Sequence, residues 1–477
     1  MTNRTGVTAL AALAMLNVFT LGAGLAVANL LPARLALWRI PRVARVALAE
    51  PGSVLIPAGA RGPMPNRRRL AAALSPLAAS HSLGRNVGAV VTDLDSGSVL
   101  FSKQAASGFE PASSAKLLTA VAALSVLGPS ARFTTRVVSG GHDSVVLVGG
   151  GDPTLAAGQP PKSDYPQPAT LESLAAGTAR WLRAHGERRV RLAYDTSLFT
   201  GPQTAPGWSP SYISTGNVTP ITSLEVDQGR LTPAGTPQDA DDPDNFRPRS
   251  YTPAAEAATA FTGFLRRDGI RLAGRPRPGK EQRGAVVMAS VRSPVLSAMV
   301  GWMLRESNNV IAEDLARQVA LRMGRPASFS GAAAAVTAEL HRLRAGQGVH
   351  LVDGSGLSPL DRVSPQALAT VVRLAAWTGP PALRAVIAGL PVAGFSGTLA
   401  PGQSVFGSFG PAALGTVRAK TGNLTNVAAL AGITEDTSGH LLAFAFMTDQ
   451  IQHASQLTAA ASAIDAMATT LAGCGCR

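Results

Sequence analysis

The stretch that decides the fold is Pro-Ala-Ser-Ser-Ala-Lys at Pro111 to Lys116, followed at once by the apolar run LLTAVAALSVLG. The apolar residues of that run recur at i, i+3 and i+4, which predicts a helix that ends at Gly128. On a helix, Ser113 and Lys116 lie one turn apart on the same face. A serine hydroxyl becomes nucleophilic when a base removes its proton, and a partly desolvated lysine can be that base. The helix N-terminus adds backbone N–H groups where negative charge would develop.

A serine followed by a lysine three residues later is a weak signal alone, and two later stretches strengthen it. Ser307 and Asn309 form a Ser-x-Asn element between two apolar helical runs. Lys420, Thr421 and Gly422 close an alternating segment that predicts a strand. Each has an ordinary structural explanation, a helix–helix corner for the first and a strand-end turn for the second. In this chain order and these contexts, the three elements together predict one serine-nucleophile active site.

The composition indicates a large globular protein. A chain of 477 residues predicts two or three domains, and 46% hydrophobic with 15% charged residues excludes disorder. The net charge of +14 would suit an anionic partner. The basic residues are scattered, aromatic residues make up only 5%, and no nucleic-acid-binding motif occurs, so we expect a cell wall or membrane surface instead of nucleic acid. The seven histidines show no metal-ligand spacing, and we expect neither a metal nor another cofactor.

The only cysteines, Cys474 and Cys476, stand in the terminal sequence CGCR. Their spacing fits neither a zinc site nor a C-x-x-C redox motif. They either form a tight local disulfide, which we favour, or are inert thiols. The lack of other cysteines is compatible with an exported bacterial enzyme.

The sequence of residues 1–31 is typical of a signal peptide or a membrane anchor. The run from Val7 to Leu31 carries no charge and is about long enough to span a bilayer. Ala26 to Ala28 resembles a signal-peptidase site, so cleavage and retention both stay open. The arginines after the run favour the opposite orientation, namely Arg34, Arg39, Arg42 and Arg45. We still expect export, because the substrate inferred below lies outside the cytoplasm.

The rest of the chain divides at the motifs. Residues 32–80 predict a linker and a first helix region, and a β-hairpin turning at 95–97 leads into Pro111. Residues 134–290 mix short strands with helices near 171–184 and 254–267, which predicts an inserted α/β domain. Residues 81–133 and 291–472 enclose it as one catalytic domain. In residues 291–472 the sequence predicts helices, the Lys420 strand, a hairpin that turns near 437–439 and a last helix. We therefore predict an α+β fold with an antiparallel sheet of about five strands and helices on both sides.

The three motifs resemble those of class C low-molecular-mass penicillin-binding proteins, the D-alanyl-D-alanine carboxypeptidase/endopeptidase family. The resemblance covers nearly the whole chain after about residue 70. Four further stretches carry it: GGGDPTL at 149–155, GWSPSYISTGNVTPITSLEVDQG at 207–229, DGSGLS at 353–358 and LPVAGFSGTL at 390–399. Inserted domains between the first two motifs are a trait of that family. The resemblance implies a penicillin-binding/serine β-lactamase-like domain, an antiparallel sheet flanked by helices, with an inserted α/β domain.

The resemblance also implies catalytic roles. It makes Ser113 the acylated nucleophile and Lys116 its base. Ser307 and Asn309 would pass a proton to the leaving amine and hold the substrate amide. Lys420 would supply the cation for the terminal carboxylate of the substrate. Lysines packed near one another depress each other's pKa, which would help Lys116 act as a neutral base.

The strand that carries Lys420 is implied to bind the substrate through Thr421, Gly422 and Asn423. Thr421 would face the carboxylate, and the oxyanion hole would use the backbone N–H groups of Ser113 and Asn423. The chain departs from the family pattern in three ways. Asn423 stands where a Ser or Thr is usual, so this position has no side-chain hydroxyl to contact the carboxylate. The insertion is shorter than in many relatives, and Asp361 stands where an Asn is often seen.

The implied function is that of an exported serine D,D-peptidase acting on D-Ala–D-Ala bonds, or on cross-links, in peptidoglycan stem peptides. β-Lactam antibiotics would be its inhibitors, and its place would be the cell wall space, free or anchored in the membrane. The alternatives are a β-lactamase-like serine hydrolase or esterase on the same scaffold, and a wall-binding scaffold with a vestigial site. The large insertion opposes the former and the intact motifs oppose the latter. The preference between carboxypeptidase and endopeptidase stays open.

Overall fold

The structure, a computed structural model, describes residues 62–161, 165–231 and 247–476. The predicted signal peptide or anchor at 1–31 and the linker up to residue 61 lie outside these ranges. Within the described ranges, no helix combines the length and apolar character needed to cross a membrane.

The described residues form ten α-helices and thirteen strands. The helices are α1 Arg67–Ala78, α2 Lys116–Leu127, α3 Leu171–Ala184, α4 Pro253–Arg267, α5 Leu296–Arg305, α6 Asn309–Arg322, α7 Phe329–Arg342, α8 Pro365–Arg373, α9 Arg384–Ala388 and α10 Leu457–Ala472. The strands are β1 Asn86–Asp93, β2 Val99–Lys103, β3 Thr134–Ser139, β4 Ser144–Val148, β5 Arg189–Asp195, β6 Arg271–Leu272, β7 Arg277–Pro278, β8 Val287–Arg292, β9 Val349–His350, β10 Arg362–Val363, β11 Arg418–Leu424, β12 Val427–Glu435 and β13 Leu441–Asp449.

A five-stranded antiparallel sheet forms the main layer, in the order β11-β12-β13-β1-β2. Strand β1 joins the early and late parts of the chain, because it pairs with β13 from Asn86↔Asp449 to Asp93↔Leu442. The predicted hairpins are present: β1 turns into β2, and β12 turns into β13. The expectation of one antiparallel sheet of about five strands is confirmed.

Helices cover both faces of this sheet. On one face, α2 lies at the centre of a core that also includes α5, α6, α7 and α8, and every residue from 116 to 124 is buried. On the other face, α1 and α10 pack against residues of the sheet such as Phe444 and Leu430. Because α2 is enclosed on all sides, the residues at its N-terminus are held in fixed positions relative to the sheet.

Residues 134–292 contribute a second sheet in the order β6-β5-β4-β3-β8, with β7 also pairing with β5. It is mixed, since β4, β5 and β6 run parallel while β3 is antiparallel to β4 and β8. Helices α3 and α4 form a separate core with it through residues such as Leu174 and Phe261. This agrees with the predicted α/β character of the insertion. The predicted boundaries at 134 and 290 stay a prediction.

Two local expectations need correction. The segment Ala112–Ala115 is a 3₁₀ turn, and α2 begins only at Lys116. Ala112 has φ of 44°, in the left-handed region, which a continuous α-helix does not allow. The strand around Lys420 does not end at the Lys-Thr-Gly motif but continues to Leu424, because pairing with β12 extends through Gly422↔Ala429 to Leu424↔Val427.

The C-terminal cysteines form a disulfide between Cys474 and Cys476, with their Cα atoms 5.1 Å apart. The carbonyl oxygen of Cys476 accepts a hydrogen bond of 2.6 Å from the backbone N–H of Asn66, ahead of α1. The bridged tail therefore connects the two ends of the described chain.

The central sheet offers a test of the fold. Phe444 is fully buried in β13 and stacks on Phe446 with ring centroids 5.0 Å apart. Phe444→Ala should lower the free energy of unfolding by about 3–5 kcal/mol, because it removes buried area and leaves a cavity in a packed core. Chemical denaturation measures this. Val99→Ala on β2, where Val99 is 38% exposed, is the control and should cost less than about 1 kcal/mol. Equal losses in the two variants would contradict the burial described here.

Candidate active site

The 3₁₀ turn ahead of α2 brings the serine and the lysine of the first motif together. The Nζ atom of Lys116 donates to Ser113 Oγ at 2.8 Å. It also donates to Asn309 Oδ1 at 2.6 Å and to the carbonyl oxygen of Ser355 at 2.8 Å. Lys116 is fully buried, and these three acceptors fix its amino group beside the Ser113 hydroxyl. This is the arrangement that a lysine base and a serine nucleophile require.

The neighbouring serine is oriented differently. Ser114 is fully buried, and its hydroxyl donates to the carbonyl oxygen of Pro111 at 2.6 Å. Ser113 is half-buried and therefore remains accessible to a substrate. Of the two adjacent serines, only Ser113 combines a lysine contact with access.

The second motif occupies the corner between α5 and α6. Asn308 caps α6 by accepting a hydrogen bond of 3.0 Å from the backbone N–H of Ile311. Ser307 has φ of 56°, an uncommon conformation for a residue other than glycine and one that is often found at functional sites. Asn309 accepts from Lys116 and donates through Nδ2 to the carbonyl oxygen of Asn217 at 2.8 Å. The corner is thereby tied directly to the first motif.

The third motif lies on β11, which packs against the 3₁₀ turn. A Cβ atom on Gly422 would come within 2.6 Å of the Pro111 carbonyl oxygen, so the glycine allows this close approach. Lys420 is fully buried, and its Nζ donates to the carbonyl oxygen of Thr421 at 2.9 Å. The Thr421 hydroxyl lies 2.8 Å from the hydroxyl of Thr398. Asn423 is exposed on the same strand.

Members of all three motifs therefore lie together: Lys116 contacts Ser113 and Asn309, and Gly422 packs against the turn ahead of α2. An oxyanion hole made of the Ser113 and Asn423 N–H groups stays a prediction.

Burial changes the pKa of both lysines. It lowers the pKa of Lys116 to about 7, against the opposing effect of the Asp353 and Glu313 carboxylates. Burial also lowers the pKa of Lys420 well below its usual range, and the positive charge of Lys116 adds to this effect. For Lys116 the main cause of the lowered pKa is thus burial, and not the neighbouring lysine that was expected from the sequence. A neutral Lys116 is available near neutral pH, as a proton acceptor must be.

Two buried carboxylates hold the loop whose carbonyl group faces Lys116. Glu313 Oε1 accepts from the Ser355 N–H at 2.8 Å and from the Gly354 N–H at 3.1 Å. Asp353 accepts from the N–H groups of Gly356 at 2.6 Å and Ser358 at 2.7 Å. Burial, followed by the charge of Asp353, raises the pKa of Glu313 to about 7. These two side chains hold the loop at 354–358 in place through its backbone N–H groups.

Asp361 departs from the family pattern and is also buried. Its Oδ1 atom accepts from the backbone N–H of Val352 at 2.6 Å. Burial, and then the negative charge of Asp353, raises the pKa of Asp361 well above its usual range. A protonated carboxyl presents an O–H group where an asparagine would present N–H groups, so an acid at this position keeps a donor towards Asp353.

The inserted segment reaches the site, which the sequence motifs did not predict. It supplies the Asn217 carbonyl group to Asn309, as described above. Trp208 Nε1 donates to Asp353 Oδ2 at 2.8 Å, and Gln228 Oε1 accepts from Asn308 Nδ2 at 2.8 Å. All three lie within the stretch 207–229 that carried part of the family resemblance. The family resemblance of this stretch was visible in the sequence, but it did not indicate a role for Trp208, Asn217 or Gln228.

Comparison with known proteins identifies the family. Residues 70–252 and 237–471 match the D-Ala-D-Ala carboxypeptidase 3 (S13) family. Carboxypeptidase DacB of Mycolicibacterium smegmatis is 38% identical over 92% of this chain and 90% of its own length. Carboxypeptidase Rv3627c of Mycobacterium tuberculosis is 37% identical over 88% of this chain and 87% of its own length.

A solved structure confirms the fold. The crystal structure of penicillin binding protein 4 (dacB) from Haemophilus influenzae covers 84% of this chain and 98% of its own, with a TM-score of 0.66 and 22% identity. A second structure of that protein, complexed with a β-lactam, covers 82% of this chain and 98% of its own with a TM-score of 0.62. The α+β fold of a penicillin-binding protein is therefore confirmed. The family match over residues 70–252 and 237–471 shows that this chain belongs to the D-Ala-D-Ala carboxypeptidase 3 (S13) family.

Proposed function

We propose that this protein is an exported serine D,D-peptidase that removes the terminal D-Ala from peptidoglycan stem peptides through an acyl-enzyme on Ser113. The observation that carries the proposal is the 2.8 Å hydrogen bond between Lys116 Nζ and Ser113 Oγ, in a site where burial lowers the pKa of the lysine to about 7. Membership of the family and the carboxypeptidase names of the relatives support the substrate class.

Acylation follows from the contacts. Neutral Lys116 takes the proton of Ser113 Oγ as the oxygen attacks the carbonyl carbon of the penultimate D-Ala. The backbone N–H groups of Ser113 and Asn423 stabilise the negative charge on the carbonyl oxygen. The proton then passes through Ser307 to the leaving amine, and the C–N bond breaks. Free D-Ala departs, and Ser113 carries the rest of the stem as an ester.

Deacylation reverses the roles with water as the nucleophile. Lys116 takes a proton from the water, the oxygen attacks the ester, and Ser113 Oγ leaves with the proton returned to it. A β-lactam acylates Ser113 in the same way, but its ring-opened amine stays attached and blocks the approach of water. The complex of the Haemophilus influenzae relative with a β-lactam supports this sensitivity. Export follows from the location of peptidoglycan, and the fate of residues 1–31 as signal peptide or anchor belongs to the same proposal.

The β-lactamase alternative requires a second base to activate water, as the glutamate of class A enzymes does. Glu306 adjoins the second motif, but its Oε1 accepts from Arg305 Nε at 2.8 Å. Glu313 is fully buried and engaged by the backbone of the loop at 354–355. Within the described residues, neither carboxylate forms a hydrogen bond with Ser113, which favours the peptidase.

Mixing the protein with benzylpenicillin should give a stoichiometric adduct that lasts many minutes, as measured by intact-protein mass spectrometry. Ser113→Ala should form no adduct, because the nucleophile is gone. Ser114→Ala is the matched control and should keep most of the adduct, since its hydroxyl contacts only the Pro111 carbonyl group among the described side-chain contacts. Rapid return to the unmodified mass with bulk loss of penicillin would favour the β-lactamase, and an adduct on Ser113→Ala would refute the assigned nucleophile.

The rate of acylation should rise with pH through about 7. Only the neutral form of Lys116 accepts the proton, and burial places its pKa at about 7. Below that pH the second-order rate constant should fall about tenfold per pH unit. A thioester substrate without a free carboxylate isolates this titration from that of Lys420. A rate constant that is flat from about pH 5 to 9 would be incompatible with Lys116 as the base.

Lys420→Ala should reduce kcat/KM for a D-Ala–D-Ala peptide sharply, by about 30-fold or more, because the substrate carboxylate loses a charged partner in an enclosed site. The same peptide with an amidated C-terminus serves as the control. It should be a poor substrate of the native protein and little affected by the substitution. Equal turnover of acid and amide by the native protein would remove Lys420 from carboxylate binding.

A further inference from the structure

The hydroxyl of Thr421 is expected to face the substrate carboxylate, and it has a hydroxyl neighbour of its own. Thr398 Oγ1 lies 2.8 Å from Thr421 Oγ1. Thr421 is buried on β11, whereas Thr398 is half-buried in the loop that precedes this strand. Either hydroxyl can be the donor, because a hydroxyl group both donates and accepts. None of the roles assigned above uses Thr398.

The local structure fixes the position of Thr398. It lies in the 3₁₀ turn Gly397–Leu399, whose last residue is fully buried in the core on the α10 side of the sheet. The hydroxyl of Ser404 donates to the Thr398 carbonyl oxygen at 2.8 Å. A Cβ atom on Gly397 would lie 2.3 Å from the Arg305 carbonyl oxygen, so the turn also packs directly on the end of α5. Thr398 is therefore held between α5 and β11.

A carboxylate bound at Lys420 needs donors for two oxygen atoms. A protonated lysine carries three N–H donors. Lys420 Nζ donates to the Thr421 carbonyl oxygen at 2.9 Å and to the Thr421 hydroxyl oxygen at 3.4 Å. One N–H group then remains for one oxygen of the substrate carboxylate. The Thr421 hydroxyl, already in contact with Lys420, is placed to serve the other oxygen.

The direction of the hydrogen bond between the two threonines decides whether Thr421 can donate to the substrate. A hydroxyl has one proton. If Thr421 donates to Thr398, this proton is used and Thr421 presents only lone pairs, which repel a carboxylate. If Thr398 donates instead, the Thr421 proton is free, and the Thr421 oxygen accepts from both Thr398 and Lys420. Within the described residues, the Thr398 hydroxyl has no hydrogen-bond partner other than Thr421, so no other acceptor there competes for its proton.

We propose that Thr398 is a positioning residue for recognition of the substrate carboxylate: its hydroxyl donates to Thr421 and thereby directs the Thr421 proton towards the substrate. This inference rests on the proposed function, and it adds a side chain from the loop before β11 to carboxylate recognition. Thr398 acts through Thr421 and does not touch the reacting atoms. In such a chain each hydrogen bond polarises the next, which strengthens the contact with the charged end.

The test compares kcat/KM of the full chain on two substrates with the same acyl stem. One ends in D-Ala with a free carboxylate, and the other is a thioester whose leaving group carries no carboxylate. Thr398→Val keeps the shape of the side chain and removes the hydroxyl. It should lower the acid-to-thioester ratio of kcat/KM about tenfold, as expected when a hydrogen bond that serves a charged group is lost. Turnover of the thioester should stay at the native level.

Two further variants separate the hydroxyl from packing. Thr398→Ser keeps the hydroxyl and loses only a methyl group, so it should keep most of the native ratio. A residue needed only for packing would behave in the opposite way, with valine tolerated and serine impaired. Thr416→Val is the matched control, because Thr416 is exposed just before β11 and its hydroxyl donates to the Ala412 carbonyl oxygen at 2.8 Å. It should leave the ratio unchanged.

A native acid-to-thioester ratio in Thr398→Val would overturn the inference, and so would equal losses in Thr398→Val and Thr398→Ser. If the native protein turns over the acid substrate and forms the benzylpenicillin adduct in the same preparation, the proposed function survives such a result and only the role of Thr398 fails. If the native protein cleaves neither substrate and forms no adduct, the proposed function fails, and the inference that rests on it fails too.

Discussion

The rest of the site depends on burying the amino group of Lys116. Removing a lysine from water disfavours its charged form, and Asp353 and Glu313 oppose that effect. The balance moves the pKa from 10.5 to about 7, where a base can be neutral in an appreciable fraction of molecules. With less burial the pKa of Lys116 would be higher, and without the carboxylates it would be lower. The charged amino group donates to all three neighbours at 2.6–2.8 Å. The neutral group can donate to Asn309 and the Ser355 carbonyl oxygen while its lone pair accepts from the Ser113 hydroxyl.

Burying one lysine imposes conditions on the layers around it. The carboxylates that oppose its desolvation are themselves buried, and they require donors of their own. Glu313 has the loop N–H groups and the guanidinium of Arg317 at 3.8 Å, and Arg317 in turn lies over the ring of Phe329 at 4.0 Å. Asp353 is bonded to Trp208 of the inserted segment. The insertion therefore helps to support the lysine that we propose as the catalytic base. The residues proposed as nucleophile, base and cation all come from the outer parts of the chain.

The sequence predicted those features that depend on local pattern. The alternating strands of the central sheet, the hairpin turns and the apolar helices follow from periodicity, and the three motifs follow from residue type and spacing. What it missed depends on tertiary contact. The 3₁₀ turn arises where Ala112 takes a positive φ against Gly356, whose Cβ would lie 1.9 Å from the Ala112 carbonyl oxygen. Glu313 and Asp353 are forty residues apart and match no spacing rule, and the Asn217 carbonyl group could come from any residue type.

The two lysines of the proposed mechanism connect substrate binding with activation of the base. Burial and the charge of Lys116 both lower the pKa of Lys420. In the site without substrate, protonation of both amino groups at once is therefore unfavourable. A substrate carboxylate placed against Lys420 favours its protonated form. That positive charge in turn disfavours a proton on Lys116, because the two groups repel each other in a buried site. The carboxylate that defines a correct substrate thereby helps to release Lys116 as a neutral base at the moment when Ser113 needs it. A ligand without a carboxylate loses both its contact with Lys420 and this activation, so specificity and catalysis arise from the same pair of buried charges.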